Sequence, residues 1–268
     1  MINYLRIKGF RMSYANKSFI MDMDGVIYYG NNLIDGAKDF IDKLNKKENQ
    51  YLFLTNNSSQ TPLDLSKKLS YFGIEVSPGN IFTSAIATAS FLNRQKSKGS
   101  AYVIGSSGLY NALHDVGYHI TEINPDYVVI GETRSYSYEV IEKACKFIME
   151  GARFIGTNPD LTGPTDFGIV PAVGALTAPI ELATGVKPYY IGKPNPLMMR
   201  SALRRLNSHS ENTVIIGDRM DTDIVAGLET GLETILVLTG VTKREDVKRY
   251  PYQPSRICNS IKDVYNLM

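Results

Sequence analysis

The sequence predicts an α/β protein: a doubly wound parallel sheet covered by helices on both faces, with a second, smaller α/β unit inserted into it. Three observations carry the prediction. Short apolar runs, most of them rich in Val, Ile, Tyr or Phe, recur at residues 19–21, 51–54, 101–104, 127–130, 153–155, 189–191, 213–216 and 234–238. Runs of that length and content read as buried strands. Segments with helical spacing lie between them, and strands that alternate with helices build a parallel sheet buried on both faces. Two polar stretches, 94–100 (RQKSKGS) and 186–188 (VKP), read as the outward and return linkers of an insertion. Residues 1–93 and 188–268 then form the larger domain and 94–187 the inserted one, which at about 90 residues is of ordinary domain size.

The helices follow from spacing and punctuation. Ala37, Phe40, Ile41 and Leu44 share one face of a helix that starts near Asp35. Pro62, Leu65, Leu69 and Phe72 mark a second, with Thr61 as its N-cap, Pro62 at the first helical position and Gly73 at its end. Ile141, Cys145 and Ile148 mark a third, stopped by Gly151, and Leu197, Ser201, Leu203 and Leu206 a fourth. No internal repeat or low-complexity tract interrupts this order.

Composition narrows the function classes. A chain of 268 residues, 43% hydrophobic and 21% charged, has the balance of a folded globular protein. Lys plus Arg total 29 against 27 for Asp plus Glu, a net charge of +2 that offers no footprint for nucleic acid. No apolar run reaches the roughly 20 residues of a membrane span. The N-terminal stretch carries Arg6, Lys8, Arg11 and Lys17 but no apolar core of signal-peptide length, so a cytoplasmic protein is expected. Cys145 and Cys258 are far apart and form no metal or redox motif; they read as small buried hydrophobes in a reducing compartment.

Four of the strand-like runs end in reactive side chains. The first runs into Asp22-Met23-Asp24-Gly25, the second into Thr55-Asn56-Asn57, the run at 189–191 into Gly192-Lys193-Pro194, and the run at 213–216 into Gly217-Asp218 with Asp223 five residues on. Ligands of open parallel sheets sit at the carboxyl ends of the strands, so these groups are expected at one edge. Crowded carboxylates need a cation. No His or Cys accompanies them, and oxygen ligands alone favour a hard ion such as Mg²⁺. Lys193 adds a second positive charge, and Thr55 and the amides after it add donors. Such a set suits a dianionic phosphoryl group, with Asp22 free to attack phosphorus. Asp24 is then placed to protonate the leaving oxygen and later to activate water.

The motifs resemble those of the haloacid dehalogenase (HAD) superfamily of phosphatases. Asp22-Met23-Asp24-Gly25-Val26 is similar to the first motif, Thr55 to the second, Lys193 to the third, and Gly217-Asp218 with Asp223 to the fourth. The insertion lies between the second and third motifs, where this superfamily places a large α/β cap. The strings LTNNSSQT, GKPNP and GDRMDTDI, with GTNPD inside the insertion, resemble the NagD-like subgroup, which includes nucleotide, phosphoglycolate and pyridoxal-phosphate phosphatases. The resemblance spans residues 18 to 265; residues 1–17 have no counterpart in it, which makes Met12 a candidate start and leaves the first residues expected to be disordered. It implies Asp22 as nucleophile and metal ligand, and Asp24 as acid/base with its backbone carbonyl on the metal. It implies Thr55, Asn56 and Asn57 at the phosphate, and Lys193 neutralising both Asp22 and the phosphate. Asp218 is implied as a metal ligand, and Asp223 as a ligand through water or as the partner of a ligand. Asn158 and Asp160 are implied to face substrate from the cap, with 161–170 lining the same opening. The implied cofactor is Mg²⁺ and the implied partner a small phosphorylated metabolite, nucleoside monophosphates and sugar phosphates leading; a homodimer through the cap is a further implication.

Other readings stay open. Asn56 and Asn57 also suit a plain turn. Asp221 reads as solvent-facing, and Arg219 as either a substrate contact or a surface ion pair. Gly105-Ser106-Ser107-Gly108 lacks a phosphate-loop fingerprint and reads as a strand–helix turn. His114 and His119 read as structural. Tyr136 and Tyr138, near Arg134, face either a cap interface or a substrate ring. Two other functions compete with a phosphatase: a signalling module that accepts phosphate on Asp22 and holds it, and a non-catalytic phospholigand-binding protein. Asp24 weighs against both.

Overall fold

The apolar runs become strands and the spaced segments between them become helices. A computed structural model describes residues 14–165 and 168–268; the expectations for residues 1–11 and Met12 lie outside the described residues. In chain order come β1 (Ser18–Met21), a short hairpin of β2 (Tyr28–Tyr29) and β3 (Asn32–Leu33), α1 (Ala37–Lys46), β4 (Tyr51–Thr55), α2 (Pro62–Tyr71), β5 (Ile81–Thr83) and α3 (Ser84–Gln95). The inserted unit follows: β6 (Ser100–Ile104), α4 (Ser107–Asp115), β7 (His119–Ile120), β8 (Tyr127–Ile130), α5 (Tyr138–Met149), β9 (Arg153–Gly156), a hairpin of β10 (Thr162–Thr165) and β11 (Gly168–Pro171), α6 (Val173–Thr184) and β12 (Tyr189–Tyr190). The chain closes with α7 (Pro196–Leu206), β13 (Thr213–Gly217), α8 (Val225–Glu229), β14 (Glu233–Val237), β15 (Arg256–Cys258) and α9 (Ile261–Tyr265).

The main sheet has six parallel strands in the order β15-β14-β13-β1-β4-β5, and the inserted sheet five in the order β12-β9-β8-β6-β7. The run at 189–191, expected in the main sheet, belongs instead to the inserted one. Tyr189 and Tyr190 pair with Ile155 and Gly156 of β9. The ladder continues as Ile191 N–H donates to Gly156 O and Gly192 N–H to Thr157 O. The inserted sheet therefore holds the chain beyond residue 188, up to the threshold of Lys193.

Local signals act as expected at α2. Thr61 Oγ1 accepts the Asp64 N–H at 3.1 Å while the Asp64 carboxylate accepts the Thr61 N–H at 3.0 Å, a reciprocal cap. α1 buries Ala37, Phe40, Ile41 and Leu44. In α7 the buried stripe is Met198, Met199, Ala202 and Leu206 rather than the Leu-based one, because Met and Ala fill the contact surface as well as Leu does. In α5 the stripe turns onto Ala144, Phe147 and Ile148, with Ile141 and Cys145 flanking it.

Alternation along the strands divides the apolar core. Phe19 and Met21 face one side of the main sheet with Phe40, Leu44 and Phe53. Ile20 faces the other side with Leu52, Leu54 and Ile215. That second cluster does not stop at the main sheet: it runs through Ala85 and Leu92 of α3 and Leu109 and Leu113 of α4 to Val103, Val129 and Ile155 of the inserted sheet. The two sheets thus share one apolar core. Leu109→Ala removes a fully buried side chain from it, at a cost of about 2–5 kcal/mol. The melting temperature is expected to fall by on the order of 10 °C in a single transition by near-UV circular dichroism; two transitions, only one of them shifted, would show that the sheets do not share a core.

Candidate active site

The strand order reverses between β1 and β13, and the carboxyl ends of these strands open into a cavity of about 900 Å³. β1 is followed by Asp22, whose N–H extends the ladder onto Ile216 O at 2.9 Å. Thr55 is the last residue of β4, and Asp218 follows Gly217 at the end of β13. A wide π turn over Met220–Ile224, closed by the Ile224 N–H on Arg219 O at 3.1 Å, carries Asp223 back to the strand ends. Such turns are often found at functional sites.

Lys193 is the centre of the arrangement. Its ammonium lies 2.8 Å from Asp22 Oδ1 and 2.7 Å from Asp223 Oδ1, and donates to Leu54 O at 3.0 Å. The side chain is 2% exposed. All three of its hydrogen-bonding directions are filled, and all are buried. Burial alone would lower its pKa, but the charges of Asp22 and Asp223 outweigh that and hold it above the usual lysine range. Arg219 N–H donates to Asp223 Oδ2 at 3.2 Å, so both oxygens of Asp223 are committed to holding the site together.

Asp22, Asp218 and Asp223 each offer an oxygen within 4.8 Å of the others. One ammonium faces three carboxylates, and the imbalance shows in the titration of Asp22 and Asp218. Burial, opposed by Lys193 and reinforced by Asp223, raises the pKa of Asp22; burial followed by the charges of Asp223 and Asp22 raises that of Asp218 well above the carboxylate range. A divalent cation among these oxygens would supply the missing charge, and the donor set, oxygen only, suits a hard ion. The backbone leaves room for the Asp218 carboxylate: a Cβ on Gly240 would lie 2.0 Å from its Oδ2, and one on Gly25, at φ +76°, 2.6 Å from it. Asp218 Oδ2 is oriented by the Val241 N–H at 2.7 Å. The Asp24 side chain lines the cavity outside this cluster. Burial raises its pKa against the charges of Lys68 and Lys193 and a hydrogen bond from Tyr28.

Thr55, Asn56 and Asn57 all line the cavity, and the Thr55 hydroxyl oxygen accepts the Asn57 N–H at 3.1 Å. The Asn56 side chain clamps Lys193. Its Oδ1 accepts the Lys193 N–H at 2.8 Å, and its Nδ2 donates to Lys193 O at 3.0 Å and to Asp160 Oδ2 at 2.9 Å. Asn57 Oδ1 is spent on the turn, accepting from the Ser59 N–H, the Ser59 hydroxyl and the Gln60 N–H. Asn158 does not reach the cavity. It is fully buried behind it, where Nδ2 donates to Asn56 O at 2.8 Å and Oδ1 accepts the Asp160 N–H at 3.1 Å. A buried amide satisfies its own polar groups first, and these partners satisfy it. Asp160 does line the cavity, as do Thr162, Gly163 and Val170 from the 161–170 segment.

The remaining candidates fall on both sides. Arg219 lines the cavity while pairing with Asp221 through two bonds of 3.0 and 2.9 Å, so it is both an ion-pair partner and within reach of a ligand. Asp221 is half-exposed. The 105–108 turn joins β6 to α4, and Gly105 and Ser106 reach the cavity rim. Tyr136 turns inward to donate its hydroxyl to Leu176 O, and Tyr138 is exposed. His114 and His119 join no metal-binding cluster among the described residues. The residue that sequence reasoning passed over is Glu132, two positions beyond β8, which lines the cavity from the inserted unit. Its pKa is pushed up to about 7 by burial, and further by the charges of Asp160 and Asp24.

A carboxylate salt-bridged to a buried lysine, a second carboxylate two residues on and an acidic cluster fit for a cation, all at the carboxyl edge of a doubly wound sheet beneath an inserted α/β unit, are what a capped phosphohydrolase requires. Family models agree: residues 19–119 match "Haloacid dehalogenase-like hydrolase" and residues 190–264 match "HAD-hydrolase-like". The chain is 52% identical over 250 residues to a dihydroxyacetone phosphatase of Corynebacterium glutamicum, covering 93% of this chain and 91% of that one. It is 46% identical over 248 residues to the ribonucleotide monophosphatase NagD of Escherichia coli, covering 92% and 98%. The solved structure of that NagD superposes with a TM-score of 0.87 over 92% of this chain and 97% of the other. A p-nitrophenyl phosphatase from Archaeoglobus fulgidus, 33% identical, superposes at 0.89 over 94% and 99%. The chain belongs to the haloacid dehalogenase-like hydrolases, in their NagD-like group of phosphatases.

The Glu132 pKa makes a stability prediction. A carboxyl whose folded pKa lies above its unfolded value favours the folded state at low pH, and that contribution is lost as pH rises through about 7. The loss is on the order of 2 kcal/mol once partial solvent contact is allowed for. Glu132→Gln is therefore expected to raise the melting temperature by several degrees more at pH 8 than at pH 5. An equal change at both pH values would show that Glu132 titrates normally.

Proposed function

We propose that this phosphatase hydrolyses small phosphomonoesters, using Mg²⁺ and a covalent aspartyl-phosphate on Asp22. The observation that carries the reading is the bridge from Asp22 to the buried ammonium of Lys193, which aims one carboxylate oxygen and leaves Asp22 facing a cavity that also holds Asp24. Asp22 and Asp218, the Asp24 backbone carbonyl and, through water, Asp223 would hold the Mg²⁺, which when bound neutralises charge on the phosphoryl oxygens.

The chain's own residues then divide the work. A carboxylate oxygen of Asp22 attacks phosphorus and the P–O bond to the leaving alcohol breaks. Asp24, whose pKa burial raises, enters as the acid and gives its proton to the departing oxygen. In the second half Asp24, now a carboxylate, takes a proton from water as the water oxygen attacks phosphorus; inorganic phosphate leaves and Asp22 is regenerated. Lys193 and Thr55 stabilise the spread negative charge of both transition states. Asn56 sets the position of Lys193 from the cavity wall. The inserted unit acts as a cap, with Asp160, Glu132 and the 161–170 hairpin closing the cavity over the leaving group. Sugar phosphates and nucleoside monophosphates lead as substrates, in keeping with the substrates named for the Corynebacterium and Escherichia relatives.

Two variants test the covalent step. Asp22→Asn is expected to abolish phosphate release from a panel of sugar phosphates, nucleoside monophosphates and p-nitrophenyl phosphate while keeping its circular dichroism. Asp24→Asn can still pass phosphate from p-nitrophenyl phosphate to Asp22, because that leaving group needs no proton. It is expected to accumulate the mass of one phosphoryl group on the intact protein. Turnover by Asp22→Asn, or release of nitrophenolate by Asp24→Asn with no mass gain and full turnover, would overturn the scheme.

A further inference from the structure

The catalytic scheme gives the Glu132 carboxyl a place in the cavity wall but no chemical task. Glu132 stands between the phosphate loop of the main domain and the 105–108 turn of the cap. Its backbone is fixed from both: its N–H donates to Ser58 Oγ at 2.8 Å, and its C=O accepts the Ser106 hydroxyl at 2.8 Å. The preceding Gly131 allows the approach, since a Cβ there would lie 2.8 Å from Leu109 and 3.0 Å from the Ser58 hydroxyl. The side chain lines the catalytic cavity. Among the described residues it makes no ion pair, and the charges that act on it are those of Asp160 and Asp24, both negative. A carboxyl placed on a rigid element against like charges is costly to keep, and hydrogen bonding from the Ser58 backbone and the Ser59 side chain offsets only part of that cost.

We infer that Glu132 is a specificity-determining residue that accepts a hydrogen bond from a hydroxyl of the leaving group, selecting phosphate esters of neutral polyhydroxy alcohols and rejecting those whose leaving group carries a carboxylate. The inference rests on the phosphatase reading and on the placement of this carboxyl. It enters the cavity from the cap side, where the leaving group must lie once the phosphoryl group is at Asp22. Asp160, in the same wall, is already engaged: its Oδ2 accepts from Asn56 Nδ2, and its Oδ1 lies 3.9 Å from the Arg219 guanidinium. A hydroxyl donates to the Glu132 carboxylate, whereas a carboxylate has no proton to give and meets a like charge there. Sites built to hydrogen-bond a substrate hydroxyl discriminate strongly against analogues that lack it. An aryl leaving group neither donates to Glu132 nor is repelled by it, so it serves as the neutral reference.

The test measures kcat/KM for glycerol phosphate, phosphoglycolate and p-nitrophenyl phosphate in the full chain and in Glu132→Gln and Glu132→Ala, each checked for a cooperative melt. In Glu132→Ala the ratio of glycerol phosphate to p-nitrophenyl phosphate is expected to fall about tenfold or more. In Glu132→Gln, which keeps an acceptor but loses the charge, that ratio should be largely restored while phosphoglycolate gains at least fivefold relative to p-nitrophenyl phosphate. Losses in equal proportion on all three esters would make Glu132 structural and overturn the inference. Unchanged ratios in both variants would overturn it as well. Failure of the unsubstituted protein to hydrolyse any ester would instead defeat the phosphatase reading itself, so the two failures are distinct.

Discussion

The ammonium of Lys193, held between Asp22 and Asp223, is the interaction on which the site depends. Three carboxylates converge where β1 and β13 end, and burial makes Asp22 and Asp218 costly to ionise. Lys193 meets two of them at 2.8 and 2.7 Å and takes its third bond to the backbone of β4. A buried pair of this kind is weak evidence for stability but good evidence for positional control. It leaves the three carboxylates two positive charges short, a deficit that a divalent cation would meet.

The cap is part of this arrangement rather than an accessory to it. β12, which leads into Lys193, pairs with β9 of the inserted sheet, and the bonds that follow tie residues 191–192 to 156–157. Asn56 then reads the Lys193 backbone from both sides while reaching Asp160, and Asn158 braces Asn56. The lysine is therefore located jointly by the loop after β4 and the cap. The apolar cluster that runs from Ile20 through α3 and α4 to Val129 gives this joint a common foundation.

The parts of the fold legible in the sequence were those with a strong periodic signal. The long apolar strands β4, β6, β8 and β13 and the amphipathic α1 and α2 announce themselves. β5 and β15 have three residues each, and β15 carries Arg256, so neither forms a recognisable run. α3 buries Ser84, Ala85, Ala87, Thr88 and Ala89 together because it is wedged against α4, β5 and α7, and small residues on several sides leave no stripe to read. α6 contains Gly174 and Pro179, which read as breakers. The position of β12 was hidden because two tyrosines say that a strand exists but not which sheet it joins. At the site, Asp22, Asp24, Thr55, Lys193, Asp218 and Asp223 were found from the rule that strand ends carry chemistry, and the structure brings them together. The same rule, applied to the run at 127–130, leads to Glu132; it was passed over because a single acidic residue after a strand matches no motif. Asn158, expected at the substrate, lies buried behind the cavity, because type and spacing do not reveal which way an amide turns once its neighbours are bonded.

The most direct test of the account is Lys193→Met, which keeps the length of the side chain and removes its charge. With the fold checked by circular dichroism, phosphate release at saturating Mg²⁺ is expected to fall at least about a hundredfold, the scale set by loss of a principal electrostatic stabiliser. Mg²⁺ should bind at least as tightly as before, since a competing cation has left the carboxylates. Turnover within tenfold of the unsubstituted protein, or loss of Mg²⁺ binding together with an intact fold, would contradict the claim that Lys193 is the charge around which this site is built.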